Sequence, residues 1–149
     1  MAEDKLLYIT RVHNDQGIKG TAWVEGENEL RVQTSSPLKA DEPGTNPEQL
    51  IALSWATCLN ATIEIALNRH GIKGVASEVV VQVDYKLNQE TTITYFDFKV
   101  DVYLDLPRDQ AEAIVYEAEG RCPVSQIIGD YAYKEMVIHT NDHGDDIKG

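Results

Sequence analysis

Positive charge is scarce in this sequence. Thirteen lysines and arginines face 25 aspartates and glutamates in 149 residues, a formal net charge of −12. Such a field repels phosphate backbones and anionic headgroups, which excludes nucleic acid and membrane surfaces as principal partners. A general gain in solubility explains the acidity equally well. Cysteine is scarcer still. Cys58 and Cys122 are the only two, too few for a disulfide-stapled secreted scaffold and more in keeping with packing, metal or redox roles. The opening residues, MAEDKLLYIT, lack the apolar stretch of a secretory signal. No apolar run approaches the ~20 residues a membrane helix needs. The expectation is a cytoplasmic protein with no membrane partner. Histidine is sparse too: His13, His70, His139 and His143 all fall near element ends. The last two have a metal-like spacing but no accompanying cysteine pair, so no metal site is expected.

What is present reads as one α+β domain, residues 1–149, long enough to bury roughly two thirds of its unfolded surface. Residues 1–34 predict an N-terminal β-meander. KLLYITRVH (5–13) and GTAWVEGENELRVQT (20–34) are β-rich, with turn chemistry at Asn14-Asp15-Gln16-Gly17 and Gly26-Glu27-Asn28. After a proline-containing loop, Asn46 supplies a cap, Pro47 a first helical position and Gln49 a capping-box partner. That helix, 46–70, should stop at Gly71. Two long strands follow as a hairpin. Val79, Val81, Val83, Tyr85 and Leu87 alternate on one; Phe96, Phe98, Val100, Val102 and Leu104 alternate on the other. Pro107 opens a second helix with Ala111, Ile114, Val115 and Ala118 at helical spacing. A short CPVSQII turn, a last strand (YAYKEMVIH) and a polar tail, 141–149, complete the layout: antiparallel strands packed on at least one buried helix.

The 46–70 helix is apolar nearly all round, through Leu50, Ile51, Leu53, Trp55, Leu59, Ile63, Ile65 and Leu67. Such a helix requires cover on every side, and about six strands, half of them short, are too few to wrap it. A second copy of the chain solves this. The expected assembly is an intertwined homodimer, its sheets wrapped around central helices.

Cys58 lies within that helix, beside Ser54, Trp55, Ala61 and Thr62, none charged. Burial there disfavours the thiolate. From its helix alone Cys58 is an inert core thiol, and reactivity requires a cation from another segment. Cys122 differs, because it occupies a helix cap beside Arg121, where the amide dipoles favour negative charge.

GTNPEQL, the cysteine at 58 and CPVSQ at 122–126 together resemble the OsmC/Ohr family of thiol-dependent peroxidases, with CPVSQ closer to the OsmC branch. The resemblance covers nearly the whole layout. It implies an OsmC-like intertwined dimer in which Cys58 is the peroxidatic and Cys122 the resolving cysteine. Cys58 would reduce an organic hydroperoxide, with hydrogen peroxide a further substrate, to give a sulfenate and then a Cys58–Cys122 disulfide. An external dithiol, typically lipoyl, would reduce that disulfide, with no metal or flavin cofactor. Glu48 matches the family's NPE glutamate, which holds an arginine against the sulfur. No arginine matches in register. Lys39 or Lys19 occupies the corresponding places, with Arg11, Arg31 and Arg121 as outside candidates. A lysine supplies point charge without the bidentate fork of a guanidinium. Glu48 and Cys58 are ten positions apart, about 15 Å along a straight helix, so a cationic side chain must span them or the partner subunit must supply part of the site. The rival reading is a dimeric binding protein for an apolar small molecule whose cysteines are non-catalytic or sense oxidant. A cysteine hydrolase fits poorly, since a mid-helix cysteine has no turn to build an oxyanion site.

Overall fold

The computed structural model describes residues 3–39 and 41–142. Most of the 141–149 tail, His143 included, lies outside them. The chain falls into two compact units, Met1–Pro47 and Glu48–Gly149.

In the first unit, β1 (Val12–Asn14), β2 (Thr21–Val24) and β3 (Arg31–Gln33) pair antiparallel in that order. Asn14 builds the first turn: its side chain accepts the Gly17 N–H at 2.8 Å and donates to the Gly17 carbonyl at 3.0 Å. The first strand is shorter than its β-rich sequence predicts. Beyond Val24 its partner turns away through Gly26 (φ 130°) and Asn28 (φ 58°), so residues 3–10 have no ladder to join in this unit. Leu6, Leu7, Tyr8 and Ile9 consequently stand between 73% and 84% exposed. Thr34 bridges in parallel to Thr45. The chain closes there because Gly44 adopts φ +136° and lies so near Gln33 that an added Cβ would sit 2.8 Å from its carbonyl oxygen.

The second unit is built on α1 (Pro47–Arg69). Its C-terminus ends as predicted. Gly71 sits at φ +69°, the Ile72 N–H bonds the Leu67 carbonyl at 2.9 Å and the Gly71 N–H bonds that of Asn68 at 3.0 Å, a Schellman ending. Trp55, Leu59, Ile63, Ala66 and Leu67 form the buried stripe. The expectation of burial all round is not met within one chain: Leu50, Leu53 and Ile65 remain 37%, 63% and 55% exposed. By length and composition α1 is also apolar enough to cross a membrane, with mean hydropathy 1.6 over its best window. This corrects the reading that no such segment exists. Ser54, Thr57, Asn60 and Thr62 interrupt the run without lowering its mean enough, and the core stripe gives the helix its apolar character.

β4 (Ser77–Leu87) and β5 (Thr94–Leu104) pair antiparallel in full register, with Val79 opposite Val102, Val81 opposite Val100 and Val83 opposite Phe98. Asn88 Oδ1 accepts from the Glu90 and Thr91 amides to close the hairpin. α2 (Arg108–Arg121) follows, its first free amide, that of Arg108, donating to Asp142 Oδ2 at 2.8 Å. α3 (Pro123–Ile128) leads to β6 (Lys134–His139). β6 runs parallel to β5, so this sheet is mixed where the sequence predicts antiparallel pairing. The α2–α3 crossover returns the chain to the end at which β5 began, and a strand launched from there points the same way.

Arg69 and His70, at the C-terminal end of α1, grip one carboxylate of α2. Arg69 Nη1 is 2.8 Å from Glu117 Oε2, and His70 Nε2 is 2.9 Å from Glu117 Oε1. Glu117 is held below its ordinary 4.5, chiefly by the hydrogen bond from His70; burial opposes this, and Arg69 adds a smaller push in the lowering direction. A depressed carboxyl stabilises the fold above its unfolded pKa and ceases to do so as pH falls through the folded one. The urea midpoint of Glu117→Gln should therefore lie slightly below that of the native chain at pH 6, the two converging below about pH 4. Equal midpoints at pH 6 would show the clasp to be idle.

Candidate active site

The two cysteines, 64 positions apart, meet in the second unit. Cys122 Sγ lies 3.2 Å from Cys58 Sγ, with the Cys122 thiol as donor. Cys58 is half-buried and Cys122 wholly buried; both are free thiols. Each is placed by local structure. Cys58 rides in mid-α1, where Thr62 Oγ1 donates to its carbonyl at 2.8 Å. Cys122 is at once the C-cap of α2 and the N-cap of α3, in extended backbone at φ −77°, ψ 114°. Its N–H bonds the Ala118 carbonyl at 2.8 Å. Its sulfur accepts the Ser125 N–H at 3.4 Å, and Pro123 fills the first helical place. The cap read from CPVSQ is thus present.

The electrostatics of Cys58 run as its helix suggests. Burial of the sulfur is the largest influence and raises its pKa above the ordinary 9.0. The Val124 N–H opposes this, the nearby Cys122 raises it further, and the Thr62 hydroxyl lowers it last. No cation figures among these groups.

Glu48 is not brought to the sulfur by its own helix, being separated from it by the ten-residue spacing. Its Oε2 is buried and lacks a hydrogen-bond partner among the described residues, a condition natural carboxylates seldom tolerate. In the first unit, Arg11 Nε pairs with Glu25 at 2.7 Å, Lys39 lies 3.8 Å from Glu42, and the Arg31 guanidinium sits 5.0 Å from the centre of the Trp23 ring. Lys19 closes a short 3₁₀ turn. Arg121 is the last residue of α2, next to Cys122.

Sequence reasoning missed two polar contributors. Trp55, counted in the sequence only among the apolar residues of its helix, is buried edge-on to Phe98 with ring centroids 5.2 Å apart. Its Nε1–H also donates to Ser125 Oγ at 3.0 Å. Ser125 is itself buried. The available signal was its position three residues after the capping Cys122, where its amide must face the cap. His139 pairs with Asp101 at 2.8 Å on the open face of the sheet, and no metal-binding cluster occurs among the described residues.

Residues 39–133 match the profile of a family described as OsmC-like protein. Organic hydroperoxide resistance protein-like 1 of Staphylococcus saprophyticus is 29% identical over 122 residues, covering 80% of this chain and 86% of the relative. A solved structure from Lactobacillus casei, provisionally described as a redox protein, superposes with a TM-score of 0.80 at 35% identity, over 93% of this chain and 95% of that one. The organic hydroperoxide resistance protein OhrB of Bacillus subtilis has the same fold, with a TM-score of 0.76 at 24% identity over 91% and 99% of the two chains.

Proposed function

The chain belongs to the OsmC-like protein family, and we propose that it serves peroxide resistance as a cysteine-based peroxidase acting on organic hydroperoxides. The observation that carries this is the 3.2 Å separation of the sulfurs. A disulfide requires about 2.05 Å, a closure within reach of side-chain rotation and a slight helix shift. In the first step the Cys58 thiolate attacks the distal peroxide oxygen. The O–O bond breaks, a Cys58–SOH forms, and the alkoxide leaves as alcohol after taking a proton. In the second, the Cys122 sulfur attacks the sulfenic sulfur. The S–S bond forms, the S–O bond breaks, and water departs with the Cys122 proton. An external dithiol, of lipoyl type, then takes up the disulfide and restores both thiols, becoming a disulfide itself.

The thiolate needs help, since burial opposes it. A cation delivered to both Glu48 and Cys58 would supply that help, and the unsatisfied Glu48 Oε2 supports such an arrangement. We assign a cytoplasmic homodimer. The bare apolar side of α1 supports a second copy, as do the exposed Leu6–Ile9 segment and Tyr85, Leu87 and Ile93 at the tip of the β4–β5 hairpin.

One equivalent of tert-butyl hydroperoxide added to the reduced protein should remove both thiols within the mixing time of a manual assay. Cys122→Ser should lose one thiol and accumulate a sulfenate that dimedone captures. Slow loss of thiols, alike in the native chain and the variant, would instead favour a binding protein with bystander cysteines.

A further inference from the structure

We infer that Trp55 and Ser125 form a positioning clasp that holds the Cys122 sulfur against Cys58 for disulfide closure. The inference rests on the peroxidase reading for its biological use, but its geometry stands on its own. The Trp55 Nε1–H donates to Ser125 Oγ at 3.0 Å, the Ser125 N–H donates to Cys122 Sγ at 3.4 Å, and the Cys122 thiol meets Cys58 at 3.2 Å. Trp55 and Cys58 are neighbours three positions apart on α1, so these contacts form a closed circuit joining α3 to α1.

The circuit matters because α3 is too short to hold itself, and besides it α3 is held by the partly buried Val124 and Ile128 against the core and by the Gln126–Glu119 bond. It is six residues long, far below the length at which a helix sustains itself. Its outer residue Ile127 is 83% exposed, and its one buried residue is Ser125. A buried hydroxyl left without a partner is costly, so the docked position of α3 is the position in which the indole satisfies that oxygen. The indole itself is immobilised by its edge-to-face contact with Phe98 on β5. In this role Trp55 and Ser125 are positioning residues rather than catalytic ones. They act through Cys122, and their effect falls on the second step, in which Cys122–S bonds to Cys58–S and hydroxide leaves the sulfenate as water.

Trp55→Phe keeps a ring against Phe98 and removes the donor; Ser125→Ala removes the acceptor from the other side. Both variants should react with tert-butyl hydroperoxide within twofold of the native first-step rate. Their disulfide closure, followed by mass spectrometry after quenching, should slow about tenfold, the loss of roughly one hydrogen bond's net free energy. Dimedone capture of the sulfenate should rise accordingly. Gln126→Ala, which deletes a different α3 contact, that of Gln126 Nε2 with the Glu119 carbonyl, should close at the native rate. A second arm uses diamide, whose N=N bond takes up the two thiol hydrogens as the disulfide forms without peroxide. Slower diamide closure in Trp55→Phe and Ser125→Ala supports the clasp even if Cys58 proves unreactive toward peroxide, so failure of the enzyme reading is distinguishable from failure of the clasp. If both variants lose thermal stability yet close at the native rate in both arms, the contact is merely structural and the inference is overturned.

Discussion

Cys58→Ser should abolish peroxide consumption, a loss of roughly three orders of magnitude or more, the result expected when a covalent nucleophile is removed. The substitution is close to isosteric and leaves the Thr62 bond to the residue 58 carbonyl intact, so the fold should survive and the loss should be chemical. Serine retains a hydroxyl but neither ionises near neutrality nor accepts oxygen to form a sulfenate. Cys122 cannot substitute for it, being wholly buried beneath α3. The same experiment carries a pH signature. Because burial lifts the Cys58 thiol, the reactive thiolate is the minor form at neutral pH. The native first-step rate should then rise with pH, by up to tenfold per unit, until the sulfur is ionised. A cation delivered to the sulfur would move the plateau toward neutrality. Stopped-flow rates from pH 5 to 10 measure both the slope and the plateau. A Cys58→Ser chain keeping a tenth or more of native turnover would refute the assignment of the nucleophile.

Leu53→Glu combined with Ile65→Glu should convert a dimer into a monomer. These residues stand on the uncovered side of α1, one turn either side of Thr57 and Ala61, and are 63% and 55% exposed in the single chain. If a second copy covers that side, two carboxylates per chain enter an apolar contact with no partner, which costs several kcal/mol. Multi-angle light scattering should read twice 16.7 kDa for the native protein and the monomer mass for the double variant. If the partner chain supplies the cation for Glu48 and Cys58, peroxidase activity should fall with the mass. An unchanged mass would place the dimer contact elsewhere; a monomer of full activity would make the site complete within one chain.

The boundaries of α1 were legible because their causes are local: Pro47 fits the first helical position and Gly71 the left-handed exit. The β4–β5 hairpin was legible because alternation marks the face that meets the core. The direction of β6 was not, since strand direction depends on where the α2–α3 crossover ends. The length of the first strand was overestimated, because propensity records what a segment tolerates rather than how long its partner runs. At the site, CPVSQ and the mid-helix cysteine marked both thiols that the fold brings together. Their 3.2 Å approach is a tertiary fact that no spacing of 64 residues encodes. The Trp55–Ser125 bond was hidden for a related reason. Either residue alone is unremarkable core or cap, and only the packing of a six-residue helix turns them into a pair.

α2 and α3 share Cys122 as their common boundary, with no loop residue between them. The joint therefore has no slack. A single residue inserted between Arg121 and Cys122 would swing everything after it by about 100° around the helix axis, turning one sulfur away from the other while leaving both helices intact. Insertions that surface turns elsewhere would absorb are forbidden at this one peptide, and the spacing of the second cysteine from Pro107 is fixed as tightly as its identity.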